Sequence, residues 1–213
     1  MKLWPLLGGV PERFVLYGGT AIALRLGHRK SIDFDFFTSS DFTTDQLMRE
    51  MTFLANGRRI QESANTLTML IAKPDFDRPV KLSFFGGLRL RQIHMPDQAT
   101  NGLLIASLKD LLGMKCAVVS QRAEAKDYLD IHAIITKTKL TLSHGLAAAR
   151  AIYGSQYNGV LTLKALCFFQ DGNVMTLPDE VKGDLTQKVK ACDLAPVPEI
   201  VPEGTIGEAG HRA

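Results

Sequence analysis

The segment YGGTAIALRLGHRKSIDFDFF, residues 17–37, constrains the fold of this chain more than any other stretch of it. It begins where an apolar run, residues 14–17, ends, and such a run followed by two glycines is typical of a short buried strand and a turn. Thr20 is placed to cap a helix over residues 21–26, and after a basic loop residues 31–37 alternate as a second strand. This close succession of strand, turn, helix and strand predicts an α/β unit.

Asp33 and Asp35 lie on the second strand with one phenylalanine between them. Because side chains alternate along a strand, the two carboxylates share one face, roughly 6.6 Å apart at the backbone, while Phe34 and Phe36 face the core. Partly desolvated carboxylates repel each other, and Mg²⁺, with Mn²⁺ as an alternative, relieves this repulsion because it prefers hard oxygen ligands. An exposed strand face with two solvated acids would give the same pattern, so the pair alone leaves both interpretations open.

The glycine turn and the basic loop both suit an anionic ligand. Gly18 and Gly19 would present backbone N–H groups at a helix N-terminus, where Thr20 can add a hydroxyl. Arg29 and Lys30 follow in the loop. A structural turn beside a solvated loop is the alternative. The stretch is neither a Walker A loop nor a G-x-G-x-x-G fingerprint, which disfavours classical P-loop and Rossmann sites.

The pattern of the chain changes from mixed to helical near residue 101. Before it, residues 43–54 have helical periodicity, and residues 67–72 and 80–85 read as strands joined by the turn-rich KPDFDRP. Ser107 with Asp110 resembles a capping box. The helices predicted after it cover residues 107–120, 125–135, 143–151 and 161–169. We therefore expect an α/β part over residues 1–100, a helical half over 101–195, and a mobile tail rich in Pro, Gly and Glu over 196–213.

Charged residues interrupt the apolar faces of two of these helices. Lys115 lies on the apolar stripe of the first, and Arg122 follows seven residues later on nearly the same face. On the next helix Asp127 falls within the apolar stripe and Asp130 lies at its edge. A buried carboxylate demands a partner, which Lys115, Arg122 or Lys126 can supply. The result is either a structural ion pair or part of a functional site.

Three segments of the chain, in their order along the sequence, closely resemble the AbiEii/AbiGii-type nucleotidyltransferase toxins of the polymerase-β-like nucleotidyltransferase superfamily. GGTAIALRLGHRKSIDFDFF is similar to the family's first motif, LKDLLGMKCAVVSQRAEAKDYLDIHAII to its second block, and LKALCFFQDGNVMTLP to its helical C-terminal part. The resemblance covers most of residues 14 to about 189. It implies an α/β N-terminal nucleotidyltransferase domain with a small mixed sheet, followed by a helical C-terminal half that completes the active-site cleft.

The resemblance also implies a function. It indicates a magnesium-dependent, toxin-like enzyme in which an acceptor attacks the α-phosphorus of an NTP and pyrophosphate leaves. The acceptors that it implies include tRNA, and a cognate antitoxin protein would be a partner. Asp33 and Asp35 would bind the metal, Lys115 would contact the phosphates in catalysis, and Asp130 would be a catalytic or orienting acid that could act as the base. Asp127, which the helical spacing places within the apolar stripe, is expected to support the fold. The residues implied in nucleotide binding are Gly18, Gly19, Thr20, Arg29, Lys30, Arg122 and Lys126.

One position departs from the superfamily, in which a later strand often carries a third metal-binding acid. In PVKLSFFGG no acid is present, and Ser83 stands where it would be expected. A catalytically weak or inactive module of the same fold, binding nucleotide or antitoxin, is therefore the first alternative. A D-x-D glycosyltransferase using a nucleotide sugar is the second, and the short strand–Gly-Gly–helix block and the small size of the chain disfavour it.

Composition sets the remaining bounds. The chain has 213 residues, 46% of them hydrophobic and 22% charged, as in ordinary globular proteins. Its net charge of +3 permits a polyanionic partner without requiring one. No apolar stretch reaches the length of a membrane span, and the N-terminus lacks the features of a signal peptide. Three cysteines without metal-ligand spacing fit free thiols. We therefore expect a cytoplasmic protein without a membrane partner.

Overall fold

The computed structural model describes residues 3–72, 76, 78–192 and 199–207. The helices in this part of the chain are α1 (Trp4–Leu7), α2 (Gly18–Leu26), α3 (Thr44–Glu50), α4 (Leu108–Val119), α5 (Ala125–Lys137), α6 (Leu142–Tyr153), α7 (Gly159–Ala165) and α8 (Asp179–Lys190). The strands are β1 (Val15–Tyr17), β2 (Phe34–Phe37), β3 (Arg58–Ser63), β4 (Thr66–Ile71), β5 (Val80–Phe85), β6 (Arg91–Gln92), β7 (Asp97–Gln98), β8 (Leu104–Ile105) and β9 (Gly204–Thr205).

One mixed sheet of seven strands forms the N-terminal part, in the order β3-β4-β5-β2-β1-β8-β7. β2 pairs antiparallel with β1 and parallel with β5, and β1 pairs parallel with β8. Helices α4 to α8 follow in sequence, so the predicted fold class, an α/β part with a mixed sheet followed by a helical half, is confirmed. The predicted boundary after residue 100 falls between β7 and β8, two strands of the same sheet.

Strand β2 divides its side chains between the core and the opposite face of the sheet. Phe34 and Phe36 are fully buried, as their alternation predicts. Phe36 stacks on Phe84 of β5 with ring centroids 4.9 Å apart. Burying these rings is strongly favourable, because each aromatic side chain removes a large apolar area from water. It fixes the face of β2, and therefore directs Asp33 and Asp35 away from the core.

Helix α2 connects the sheet to the helical half, because it contacts β1 and β2 as well as α4 and α5. Helix α4 contacts α5, α6 and α7, and α2 contacts both α4 and α5. This short helix, which begins with the glycine pair, is thus held between the sheet and the first two helices of the C-terminal half. None of the helices in the described ranges has the length and apolarity needed to cross a bilayer.

Some element boundaries differ from the sequence predictions. Helix α2 begins at Gly18 rather than at residue 21, so Thr20 lies inside the helix and does not cap it. Strand β2 begins at Phe34 rather than at residue 31. The predicted helix over 43–54 ends at Glu50 and is followed by a 3-10 turn, Thr52–Asn56. The sequence does not predict β3, because all six of its residues are exposed and show no apolar alternation. Residues 73–75 and 77 of the predicted KPDFDRP turn lie outside the described residues.

The segment 199–207 packs against the rest of the chain. Gly204–Thr205 pairs with β6, the carboxylate of Glu203 lies 2.8 Å from Nδ1 of His94, and Ile206 is fully buried. The prediction of a mobile tail over 196–213 is therefore wrong for residues 199–207, because a strand pairing and a buried isoleucine outweigh their Pro- and Gly-rich composition. The remaining residues of that tail lie outside the described part of the chain.

Candidate active site

The glycine pair brings the N-terminus of α2 against the acidic face of β2. Tyr17 pairs with Asp35 in the β1–β2 ladder, so the residue after Tyr17 lies next to the Asp35 side chain. Gly18 has φ +72°, and a Cβ at this position would lie only 2.7 Å from Oδ2 of Asp35. Glycine alone allows both this backbone conformation and this approach. The carboxylate of Asp35 therefore lies beside Gly18, the first residue of α2.

Gly19 makes a second close approach. A Cβ here would lie 2.1 Å from Nη2 of Arg29 and 3.2 Å from Oδ2 of Asp130. The absence of a side chain thus lets the Arg29 guanidinium lie across the first turn of α2. The two glycines have separate geometric roles, one for a carboxylate and one for a guanidinium, which the sequence motif does not distinguish.

Thr20 is placed differently from its predicted contact with nucleotide. Its side chain is buried, and its hydroxyl donates to the main-chain carbonyl of Asp33 and lies 2.8 Å from the hydroxyl of Ser31. Thr20 does not line the cleft described below. These hydrogen bonds connect α2 to residues 31–33, the segment that leads into β2.

Asp33 and Asp35 differ in their surroundings. The side chain of Asp33 is 48% exposed, and its Oδ2 lies 3.3 Å from Nζ of Lys81 on β5. Asp35 is mostly buried, and within the described part of the chain its carboxylate has no hydrogen-bond or ion-pair partner. Burial raises the pKa of Asp35 above its ordinary value, and the neighbouring charge of Asp33 adds to this, against the opposing charge of Lys81.

The two aspartates open into a cleft of about 500 Å³ between the sheet and α4. Among the described residues that line it, cationic side chains outnumber the acids, which are Asp33 and Asp35. A cavity of this size holds a nucleotide-sized ligand, and its charge favours a polyanion. The basic residues that line it are Arg29, Lys30, Arg78, Lys81, Lys115, Arg122 and Lys126.

A buried ion cluster supports one wall of this cleft. Lys115 bridges two carboxylates, pairing with Asp127 and, at 2.7 Å, with Asp130. Nε of Arg122 donates to Asp127 at 2.8 Å. Burial alone would raise the pKa of Asp127, but the hydrogen bond from Arg122 and the charge of Lys115 outweigh it and hold that pKa below its ordinary value. Asp127 is thus fully buried among basic partners, and its role in supporting the fold stays a prediction.

Asp130 occupies a position unlike the predicted one. It is fully buried rather than at the edge of the apolar stripe, and it does not line the cleft. Its carboxylate accepts from Nε and Nη2 of Arg29 at 2.7 and 2.9 Å, and Nε2 of His28 lies at 2.7 Å. Although burial opposes them, the hydrogen bonds from His28 and Arg29 and the charge of Lys115 hold the pKa of Asp130 far below its ordinary value. A carboxylate with these partners is a poor general base. It positions Arg29 and Lys115, both of which do line the cleft.

The structure brings most of the predicted site residues to one cleft. Residues of the predicted site that line it are Gly18, Gly19, Arg29, Lys30, Asp33, Asp35, Lys115, Arg122 and Lys126. Ser83 is buried and does not line the cleft, and its backbone lies opposite Asp35 in the β2–β5 ladder. The sequence analysis does not assign site roles to Arg78 and Lys81. Alternation on β5 places Lys81 on the face of Ser83, which is the signal that could have identified it.

The donor set fits a divalent cation held by two carboxylates. Asp35 combines a raised pKa, substantial burial and the lack of a cationic partner among the described residues, and a bound cation would relieve that unfavourable charge. Asp33 shares its face of the strand and remains accessible. Within the described ranges, no group of three or more His, Cys, Asp or Glu residues lies close enough together to hold a metal. Other ligands would come from substrate phosphates or water, as is common for magnesium.

Comparisons with known proteins agree with this geometry. The family model described as "Nucleotidyl transferase AbiEii toxin, Type IV TA system" matches residues 7–196. A protein of Aquifex aeolicus (strain VF5), aq_aa25, is 30% identical over 196 residues, covering 85% of this chain and 89% of its own. The family match spans the glycine pair, the aspartates and the Lys115 cluster.

Solved structures share the fold at low sequence identity. JHP933 from Helicobacter pylori is similar with a TM-score of 0.57 and 18% identity, over 89% of this chain and 88% of its own. MenT4, a nucleotidyltransferase toxin from Mycobacterium tuberculosis H37Rv, is similar with a TM-score of 0.57 and 13% identity, over 91% of this chain and 83% of its own. At these identities the likeness establishes the fold alone.

Proposed function

Because the chain belongs to the AbiEii family of nucleotidyl transferase toxins, we propose that it transfers a nucleotide from an NTP to an acceptor in a magnesium-dependent reaction. The family assignment supports a nucleotidyltransferase of the toxin–antitoxin type. The nucleotide, the metal and an RNA acceptor, with tRNA foremost, are our proposal. The observation that carries it is one cleft in which Asp33 and Asp35 face a set of cationic side chains beside a glycine-rich helix N-terminus.

The positions of the cations suit a triphosphate. Lys115 on α4, Arg122 in the turn after α4, and Arg29 and Lys30 in the loop after α2 all line the cleft, so a polyphosphate bound there would meet several positive charges. Arg29 is held across the first turn of α2 by Asp130. Fixed cations of this kind bind phosphate without reorganising during the reaction, which is the most effective form of electrostatic stabilisation.

The reaction that we propose forms one phosphorus–oxygen bond and breaks another. An acceptor hydroxyl oxygen attacks the α-phosphorus, the bond from that phosphorus to the bridging oxygen of the β-phosphate breaks, pyrophosphate leaves, and the hydroxyl proton passes to water. A magnesium ion held by Asp33 and Asp35 would supply positive charge to the phosphate oxygens. Arg29, Lys115 and Arg122 hold the leaving pyrophosphate, and the burial of Asp130 argues against the role of base that the sequence suggests for it.

Label transfer from each radiolabelled NTP tests this function. The protein is incubated with magnesium, total tRNA and one α-labelled NTP at a time, and label is followed into RNA. We expect incorporation from one or more NTPs, and its loss in Asp33→Asn and Asp35→Asn variants that still fold. Incorporation by the double variant at the wild-type rate would refute the metal-site assignment.

A module of the same fold that binds nucleotide or antitoxin without efficient transfer is the second candidate. The observation in its favour is Ser83, which pairs with Asp35 where a further carboxylate would complete the metal site. Thermal melts with magnesium and NTP separate the two candidates. Stabilisation by both ligands together without any label transfer favours the binding module, whereas stabilisation with transfer favours the enzyme.

A further inference from the structure

Lys81 lies where the acidic face of β2 meets the neighbouring strand. β2 and β5 run parallel, with Asp35 opposite Ser83 and Phe34 opposite Leu82, so residue 81 lies beside Asp33. Side chains two apart share a face, which puts Lys81 and Ser83 on the same side of β5 as the two aspartates. Nζ of Lys81 lies 3.3 Å from Oδ2 of Asp33, inside the cleft.

Asp33 and Asp35 differ in the charged groups that surround them. Asp33 has a cationic partner in Lys81, whereas Asp35 has no ion-pair partner among the described residues. Two-metal sites generally hold their ions about 3.5–4 Å apart with carboxylates shared between them. Among the described residues, the cleft offers two carboxylates: Asp35 lies opposite Ser83 in the β2–β5 ladder, and the ammonium group of Lys81 contacts Asp33.

We propose that Lys81 supplies the positive charge that a second divalent ion would otherwise bring, so that the site binds a single divalent ion. The ion is held chiefly by Asp35, with Asp33 shared between the ion and Lys81. This inference rests on the proposed function, since it concerns the metal count of the same nucleotidyltransfer site. It makes Lys81 a catalytic residue, one that contacts the reacting phosphate group or the incoming acceptor.

The surroundings of Lys81 favour this role over a structural one. Its side chain is 40% exposed and Asp33 is 48% exposed, and ion pairs this open contribute little to stability. The lysine projects from a strand with two sheet neighbours, β2 and β4, so its backbone is held firmly. A second divalent ion between Asp33 and Asp35 would lie close to the ammonium and be repelled by it. Lys81 on β5 therefore supplies the positive charge of a second divalent ion and also prevents that ion from binding.

Counting bound Mn²⁺ tests the proposal without relying on activity. Electron paramagnetic resonance measures free Mn²⁺ while it is titrated into the protein saturated with a non-hydrolysable NTP analogue. We expect one Mn²⁺ per chain for the wild type and for Lys81→Met, and two for Lys81→Asp, because the new carboxylate lies beside Asp33 and Asp35. The matched control is Lys182→Met, which removes a lysine paired with an aspartate at 3.2 Å on α8, outside the cleft. It should bind one ion.

Transfer rates give the second measurement. Lys81→Met should lower the rate of label transfer at least tenfold, and raising magnesium should not restore it, because the missing charge is not a dissociable ion. Lys182→Met should transfer at the wild-type rate. The proposal is overturned by a wild-type count other than one, by a single ion in Lys81→Asp, or by wild-type transfer in Lys81→Met. A wild type that binds one Mn²⁺ and transfers no label from any NTP would instead defeat the proposed function.

Discussion

Replacing Asp130 with asparagine should destabilise the protein strongly, although the sequence suggests an edge position for this residue. In the structure its carboxylate is fully buried and has partners on two elements: His28 and Arg29 after α2, and Lys115 on α4. Asparagine has a similar shape but no charge, so Arg29 loses its carboxylate and Lys115 keeps only Asp127. Removing one partner from a buried ion pair costs about 3–5 kcal/mol.

The remaining pair between Lys115 and Asp127 points to the lower end of that range, about 3 kcal/mol. In a protein of this size that free energy corresponds to a fall of roughly 6–12 °C in Tm. Urea denaturation and thermal melts on wild type and variant measure it. The matched control is Asp184→Asn, whose 44% exposed carboxylate pairs with His132 across α5 and α8 at 3.0 Å. An exposed pair of this kind should cost less than about 1 kcal/mol.

The pH dependence gives an independent check on the same residue. Because the pKa of Asp130 is lower in the folded protein than in the unfolded chain, its contribution is complete above the unfolded pKa, about 4. That contribution is lost as the pH falls further, towards the folded pKa. The stability gap between wild type and Asp130→Asn should therefore be constant above about pH 5 and narrow below about pH 4.

Two results would refute this reasoning. The first is a loss of stability in Asp130→Asn no larger than that of Asp184→Asn, which would mean that the buried cluster does not hold the fold. The second is a gap that widens as the pH falls, which would mean that the pKa shift has the opposite sign. NTP binding adds a functional readout, since Asp130 positions Arg29 and Lys115 in the cleft, and we expect weaker binding in the folded variant.

Three further changes test other parts of the structure. Asp35→Asn should raise stability at neutral pH by about 0.5–2 kcal/mol in metal-free urea denaturation, because it removes a carboxylate whose pKa is raised by burial, and the gain should vanish on acidification. In Gly19→Ala, the new Cβ would lie 2.1 Å from Nη2 of Arg29 and would displace the guanidinium from the cleft. We therefore expect NTP binding, measured by calorimetry, to weaken at least tenfold. Unchanged affinity would contradict the role assigned to Arg29. Ile206→Ala should lower the free energy of unfolding by about 2–4 kcal/mol in thermal melts, because Ile206 is fully buried. The control Val201→Ala, at an 80% exposed position, should remain within about 0.5 kcal/mol of wild type. Equal effects of the two changes would show that residues 199–207 do not pack against the rest of the chain.

The sequence by itself determines the centre of the fold. Alternation in IDFDFF divides the phenylalanines and the aspartates between opposite faces of the strand, and that division follows from the local backbone geometry. Because the phenylalanines are apolar, their face is the one expected in the core, where Phe34 and Phe36 lie. The glycine pair marks a turn because few other residues tolerate its backbone, and the periodicity of the later segments indicates helices. These features depend on neighbours in sequence, which is why the fold class and the family can be read from it.

Only the tertiary structure decides which charges meet. Asp127 and Asp130 are three residues apart on one helix, yet one is paired mainly through Arg122 and the other through Arg29, about a hundred residues earlier. Helical periodicity locates a side chain on a face but does not reveal what packs against that face, and α2 covers the side of α5 that carries Asp130.

The same limit applies to Lys81 and to residues 199–207. A half-exposed lysine on a strand is ordinary in sequence, and its contact with Asp33 exists because β5 lies parallel beside β2. A Pro- and Gly-rich segment has the composition of a mobile tail, and it becomes ordered only because β6 offers an edge and the core accepts Ile206. Pairing between distant segments depends on the free energy of the whole packed molecule, and no local pattern in the sequence encodes it.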